Sequence, residues 1–280
     1  MRIARFDDNR VGIVREDGIH DVTSALDGLP AHRYPFPAHD ALIANLQVLK
    51  SAKASRVVPL AKARLLSPVA NPGKIMAAPV NYTKHLEEAL ADKGIHHGNL
   101  VSEIHKAGIF LKATSAVVGA GEGVRLVHLD RRNDHEVELA IVIGKKGRNI
   151  QPGDAAGYVA GYCIGLDMTI RGSEDRSFRK SPDSYCVLGP WLVTADEVPD
   201  PGSLQISITV NGEPRQNANT RDLILGVGAL IAWASSFYTL HPGDVLLTGT
   251  PQGVGPVRPG DVMLASLERV GEMRVAVSAA

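Results

Sequence analysis

The segment from Asp134 to Lys145 holds the residues of the chain best placed to do chemistry. Read as a strand, it puts Glu136 and Glu138 on one face and Val137, Leu139, Ile141 and Ile143 on the other, because side chains two apart share a face. A half-buried strand with one wet face would show the same alternation. Here, however, the acidic face continues as Ala140 and Val142, where a solvated face would stay polar. Carboxylates at the lip of an apolar floor must be neutralised by something. A third acid, Asp167, closes the apolar run Val159 to Leu166. An Asp there is often a cap or turn residue; a third oxygen ligand is the sharper reading. Three hard carboxylates without a thiolate suit Mg²⁺ or Mn²⁺ better than zinc and leave positions open for water and substrate.

Cations stand near these acids in sequence: Arg171 four residues after Asp167, Lys180 before Ser181-Pro182-Asp183, and Lys112 inside the apolar run Phe110-Leu111-Lys112. Surface solvation is the ordinary fate of any one of them. Beside a metal, an ammonium would stabilise an enolate or carboxylate oxygen, which gives Lys180 a definite task. The run Thr248-Gly249-Thr250-Pro251-Gln252-Gly253-Val254-Gly255 reads as a nest whose amides and Thr hydroxyl face an anion, or as a tight turn between strands. It lacks phosphate-loop spacing and no helix follows, so a carboxylate is the expected guest rather than a nucleotide.

Asn81-Tyr82-Thr83-Lys84-His85-Leu86-Glu87-Glu88 opens a short helix in which His85 and Glu88 share a face. A surface His near a Glu is usually incidental. The sharper reading is a dyad in which Glu88 orients His85 and raises its basicity for taking a proton from water. The Gly- and His-rich stretch Lys93 to Asn99 that follows has the composition of a mobile lid, with His96 and His97 as an exposed loop pair.

The elements that must position these groups are mostly strands. They are expected at Lys74 to Ala78, Gly108 to Lys112, Val137 to Ile143, Val159 to Leu166, Leu204 to Val210 and Val245 to Thr248, with helices near 82–92 and 221–239. Strand–helix alternation is scarce, which argues against a doubly wound sheet and for an α+β, mainly β domain. Residues 1–70 read as a small N-terminal domain. Its hairpin turns at Asp7-Asp8-Asn9, a Pro-rich stretch runs from Pro30 to Pro37, and a helix is expected from His39 to Lys53. The catalytic domain is then 71–280.

Composition narrows the partners. With 280 residues and 44% hydrophobic content, the chain can bury one large core. Thirty Lys plus Arg balance thirty Asp plus Glu, so there is no net positive field for nucleic acid or an anionic membrane surface. The first ten residues have no apolar signal core, and the longest greasy run, Leu223 to Phe237, is too short to cross a bilayer; a cytoplasmic protein is expected. Cys163 and Cys186 are too few for a disulfide framework and read as buried thiols.

Taken together, these segments resemble the fumarylacetoacetate hydrolase family over about residues 70–275. The likeness rests on Glu136-Val-Glu138 followed by Asp167, on Lys180-Ser-Pro-Asp, on the Thr248 to Gly255 turn, and on Asn-Tyr-x-x-His85-x-x-Glu88. It implies a mixed β-sandwich roll with a small N-terminal domain, a Mg²⁺ or Mn²⁺ site on Glu136, Glu138 and Asp167, and a homodimer. It implies His85, Glu88 and Lys180 as catalytic and Arg171 as a substrate contact; Lys112, from its apolar run, is expected to share the catalytic task of Lys180, and Tyr82, Gly249 and Thr250, from the matched segments, to contact substrate. Glu174, where the family often carries Gln, and Pro182-Asp183-Ser184, in place of Phe-Asp-Thr, depart from its pattern.

The expected activity is hydrolysis of a carbon–carbon bond in a small 2,4-dioxo acid of the acylpyruvate type. The metal acts as electron sink for an enolate, and His85 activates the attacking water. The same sink would support oxaloacetate decarboxylation or tautomerisation, or isomerisation of a dioxo-diacid. A non-catalytic oxo-acid binder would keep the carboxylates but gain nothing from the dyad.

Overall fold

In the computed structural model, which describes residues 1–29, 31 and 38–280, strands dominate and build an α+β, mainly β roll of packed sheets. The Pro30 to Pro37 stretch, residue 31 apart, lies outside the described residues. The largest sheet runs Arg56–Val58, Gly18–Asp21, Arg10–Arg15, Arg2–Phe6, Cys186–Thr194, Val159–Asp167, Val137–Ile143, Val245–Leu247, Ile75–Ala77, Phe110–Lys112. Pairing is mixed: Val137–Ile143 is antiparallel to both its neighbours, whereas Val245–Leu247 and Ile75–Ala77 run parallel. A five-stranded sheet, Glu213–Asn219, Gln205–Val210, Val262–Leu267, Gly271–Ala279 and Val124–Leu126, packs against it.

The alternation along Val137–Ile143 decides where that packing happens. Val137, Leu139, Ile141 and Ile143 enter the main core with Ile206, Ile208, Met263 and Val275 of the second sheet. Ala140 and Val142 point the other way, into a second apolar layer with Cys163, Cys186, Val245 and Leu247. A strand buried on both faces has no wet side, so the two glutamates at its head are buried because the floor they share is buried.

The N-terminal hairpin forms as its turn chemistry predicts, with Asp7 and Asn9 at φ 48° and 60°, a left-handed conformation that Asp and Asn tolerate best after Gly. Arg2 and Ile3 pair with Val193 and Leu192, so the sheet runs through the boundary expected near residue 70. The helix expected from His39 to Lys53 does not form as one piece. Ala41–Ala44 is capped by Asp40, whose carboxylate accepts from the Leu42 and Ile43 amides, and the chain breaks at Asn45. There the Asn45 amide donates to the Ala41 carbonyl, competing with the helix ladder, and Leu46–Lys50 continues as a 3₁₀ turn. The helix expected near 221–239 is shorter, Val227–Phe237, because Ile224 and Leu225 are claimed by Asn81.

Since Ile141 is fully buried between the two sheets, Ile141→Ala is expected to destabilise the fold by about 2–5 kcal/mol, read as a lower urea midpoint at unchanged slope.

Candidate active site

The three acids converge as their spacing predicts. One oxygen from each of Glu136, Glu138 and Asp167 lies within 4.8 Å of the others, and all three residues are buried. Glu138 heads the Val137–Ile143 strand; Asp167 ends the antiparallel Val159–Asp167 strand, and its amide donates to the Glu136 carbonyl. Backbone pairing therefore brings the carboxylates together before any side chain chooses a rotamer.

Neutralisation is uneven. Lys180 donates to Glu136 Oε2 at 2.6 Å, Asp167 Oδ2 at 2.7 Å and Thr169 Oγ1 at 2.6 Å. Lys112 donates to Asp167 Oδ1 and to the Lys180 carbonyl. Arg171 bridges Asp134 and Glu136 at 2.8 and 2.9 Å. Glu138 has no ion pair among the described residues; its one hydrogen bond comes from the Gly249 amide at 2.6 Å. Burial pushes its carboxyl well above the ordinary range, and repulsion from Asp167 adds to the shift. Burial acts the same way on Glu136, but Lys180 and Arg171 outweigh it and hold that group below the ordinary range. An all-oxygen donor set with one carboxylate lacking a cation fits a hard divalent ion such as Mg²⁺ or Mn²⁺.

Two amides of the glycine turn hold carboxylates, the kind of guest that its nest reading anticipates. The anion it faces is the protein's own: Gly249 holds Glu138, and Gly253 donates to Glu88 Oε1 at 2.9 Å. Thr250 Oγ1 donates to the Val137 carbonyl and accepts from Gln216, which also accepts from the Val137 amide. Both glycines are required. Gly253 sits at φ 93°, and a Cβ there would lie 2.1 Å from the Arg215 carbonyl; Gly249, at φ 94°, would meet Asn81 Cβ at 2.8 Å.

Glu88 Oε2 meets His85 Nδ1 at 3.0 Å, so the dyad forms across one turn of the Thr83–Ala91 helix. With Nδ1–H engaged, Nε2 is the basic nitrogen, and His85 lines a cavity with Glu136, Arg171 and Lys180. Arg176 and Arg179 line it as well, as do Ile95, His96 and Asn99. The helix is rooted by Asn81, which donates to the Thr248 and Leu225 carbonyls and accepts from the Leu225 amide. The Lys93 to Asn99 stretch is folded rather than open: Lys93–His96 forms a helical turn capped by Asp92, and Asn99 donates to the Gly172 carbonyl. Tyr82 is buried at the helix start and lines a neighbouring groove with Asn217 and Asp222, away from the His85 cavity.

Several groups at the site escaped the sequence reading. Asp134 and Thr169 stand two residues from Glu136 and Asp167, so the same-face rule extended by one step would have found both. Gln216 arrives from the second sheet with no local signal. Arg176 and Arg179, three apart on one helical turn, carried a spacing signal that was not used. Glu174 is held at the surface by both guanidinium nitrogens of Arg131.

Residues 74–278 match the model of the fumarylacetoacetate hydrolase C-terminal domain. The chain is 61% identical to a maleylpyruvate hydrolase of Aquipseudomonas alcaligenes, covering 99% of each. It is 36% identical to a mitochondrial oxaloacetate tautomerase of Xenopus laevis, covering 97% of this chain and 88% of that protein. A crystal structure of maleylpyruvate hydrolase from Sphingobium sp. SYK-6, in complex with manganese(II) and pyruvate, superposes with a TM-score of 0.82 at 41% identity, covering 100% of this chain and 99% of that one.

The raised Glu138 pKa gives metal uptake a sign. Between the ordinary carboxylate range and that raised pKa the folded apoprotein binds more protons there than the unfolded chain, so apoprotein stability falls as pH rises through this window. Metal binding should displace the proton, and affinity should weaken as pH is lowered through the same range. In calorimetry with Mn²⁺, the heat should track the ionisation enthalpy of the buffer in the parent protein and lose that dependence in Glu138→Gln. Glu138→Ala and Asp167→Ala should each lose affinity; unchanged Mn²⁺ binding in either would remove the site.

Proposed function

The chain belongs to the fumarylacetoacetate hydrolase family, and on that premise we propose that it is a Mg²⁺- or Mn²⁺-dependent hydrolase cleaving the carbon–carbon bond of an acylpyruvate, with maleylpyruvate as the substrate. The observation that carries the reading is the His85–Glu88 pair at the cavity shared with Glu136 and Lys180. Decarboxylation can lean on an electron sink alone and has no use for an oriented base.

A divalent cation held by Glu136, Glu138 and Asp167 supplies positive charge against the 2-oxo-acid end and draws electron density out of the bond to be cleaved. His85 takes a proton from water through Nε2 while Glu88 holds its Nδ1–H, and the hydroxide adds to the C4 carbonyl. Lys180, buried at the cavity with its ammonium fixed by three oxygens, offsets the negative charge that develops on oxygen. Lys112 donates to Asp167 and to the Lys180 carbonyl and so anchors the Lys180 backbone beside the acid. The C3–C4 bond breaks, C3 takes up the proton from the His85 imidazolium, and the products are pyruvate and the acid of the acyl group. In this reading Arg171 holds the Glu136 carboxylate in place at the cavity, while Gly249 and Thr250 fix the Glu138 end of the site.

No helix among the described residues is long and apolar enough to cross a membrane. We place the enzyme in the cytoplasm, where its two free buried thiols stay reduced, and as a homodimer, for which the 72% exposed Phe178 beside Ile170 and Pro182 offers an apolar contact. Sedimentation at micromolar concentration tests the dimer.

The dyad separates hydrolysis from plain electron-sink chemistry. His85→Ala should lose at least about a hundredfold in kcat on an acylpyruvate, the usual worth of a general base, with Mn²⁺ affinity retained. Cleavage at the parent rate would make His85 a bystander and move the oxaloacetate tautomerase reading ahead.

A further inference from the structure

The cavity holds more positive charge than its own acids account for. Of its four cations, Lys180 and Arg171 are neutralised by Glu136, Asp167 and Asp134. The other two are not. Arg179 is buried and spends its Nε and Nη1 on the carbonyls of Glu174 and Ile170, neutral partners that fix its position without cancelling its charge. The Arg176 side chain makes no hydrogen bond or ion pair among the described residues; its guanidinium lies 5.7 Å from the centre of the Phe110 ring. The same ring lies 5.5 Å from Lys180 Nζ, so Phe110 is shared by Arg176 and the catalytic ammonium.

A guanidinium stays charged in protein surroundings, and holding one partly buried over an aromatic ring without an anion is costly. Burial, the largest influence on both Arg176 and Arg179, lowers their pKa values and outweighs the pull of Glu136, Asp167 and Asp175 on Arg176, while the closeness of Arg171 and then of Arg176 adds to the lowering of Arg179. An incoming carboxylate would relieve that cost with charge-assisted hydrogen bonds, and a planar fork is the group that takes one in two-point fashion.

We propose that Arg176, supported by Arg179, is the specificity residue for a second carboxylate, selecting acylpyruvates that carry an acid at the far end of the acyl chain over those that end in an alkyl group. The inference rests on the hydrolase reading for its substrate class, since the 2-oxo-acid end is assigned to the metal carboxylates and Lys180. Arg179 is locked by its two carbonyls and sets the field; Arg176, which touches the Phe110 ring and makes no side-chain hydrogen bond among the described residues, keeps its fork for the ligand. The turn that carries both begins at Asp175, whose carboxylate caps it through the Ser177 amide and so fixes where the two guanidiniums emerge. Selection works through the uncompensated charge: a chain ending in methyl leaves Arg176 unpaired in a cavity it also helps to dry.

The test uses the Mn²⁺-loaded enzyme and two pairs of compounds. Binding is measured with 2-oxoheptanedioate and 2-oxoheptanoate, which lack the 4-oxo group and cannot be cleaved; turnover is measured with maleylpyruvate and acetylpyruvate. The parent should bind the diacid at least about tenfold tighter than the monoacid, and Arg176→Gln should bring that ratio to within about threefold, as expected when one partner of a desolvated charge pair is removed. The kcat/KM ratio of maleylpyruvate to acetylpyruvate should fall in parallel, chiefly through KM, and Arg176→Lys should restore part of it. Equal binding ratios in parent and Arg176→Gln would overturn the assignment, as would a loss of equal size on diacid and monoacid. If the parent cleaves neither acylpyruvate yet the binding ratio collapses as described, the hydrolase reading fails and the role of Arg176 stands.

Discussion

Three carboxylates buried within a few ångströms of one another repel, and each has given up its hydration to be there. Nearly every polar feature around the site answers that repulsion. Lys180 lies among Glu136, Asp167 and Thr169, Lys112 takes the other oxygen of Asp167, and Arg171 takes the other oxygen of Glu136 while Asp134 holds it from behind. Glu138 is left with one amide, and burial together with Asp167 raises its pKa as a result. Two lysines and an arginine thus leave a deficit of positive charge at one defined place, which is where a divalent cation has most to gain.

The Thr248 to Gly255 turn couples this charged centre to the proton-handling pair. Its first glycine amide holds Glu138 and its second holds Glu88, so one loop of backbone fixes both the acid at the metal centre and the partner of His85. Their separation depends on a chain that approaches the Arg215 backbone and the Asn81 Cβ too closely for a side chain at these positions. Gln216, from the second sheet, ties Thr250 and Pro251 to the Val137 amide, which clamps the turn to the strand that carries Glu138. The packing of the two sheets therefore transmits to the geometry of the acid pair, and the main core has a role in the site beyond stability.

The cavity has two electrostatic ends. One is the carboxylate cluster, lacking positive charge; the other is the Arg176–Arg179 turn, holding an excess. In the proposed reading, a molecule that brings an oxo-acid to the first and a carboxylate to the second completes both. Ile95 packs with Ala89, Val101 and Val254 in a small apolar cluster and lines the same cavity.

What the sequence by itself determined follows from period and type. The two-residue repeat of Val137–Ile143 set both faces of the central strand, and with it the convergence of Glu136 and Glu138; the three-residue spacing of His85 and Glu88 set the dyad; Asp-Asp-Asn set the hairpin turn. Each is a local relation, fixed by bond geometry within one element. The helix expected from His39 to Lys53 failed at Asn45, where a side-chain hydrogen bond won over apolar periodicity. Only the tertiary structure decided which anions the glycine turn would hold, since Glu88 lies 165 residues from Gly253 and Glu138 lies 111 from Gly249. It alone decided that Arg176 would stand without a carboxylate, because pairing of charges depends on what other strands and turns bring within reach, and no spacing along one segment encodes that.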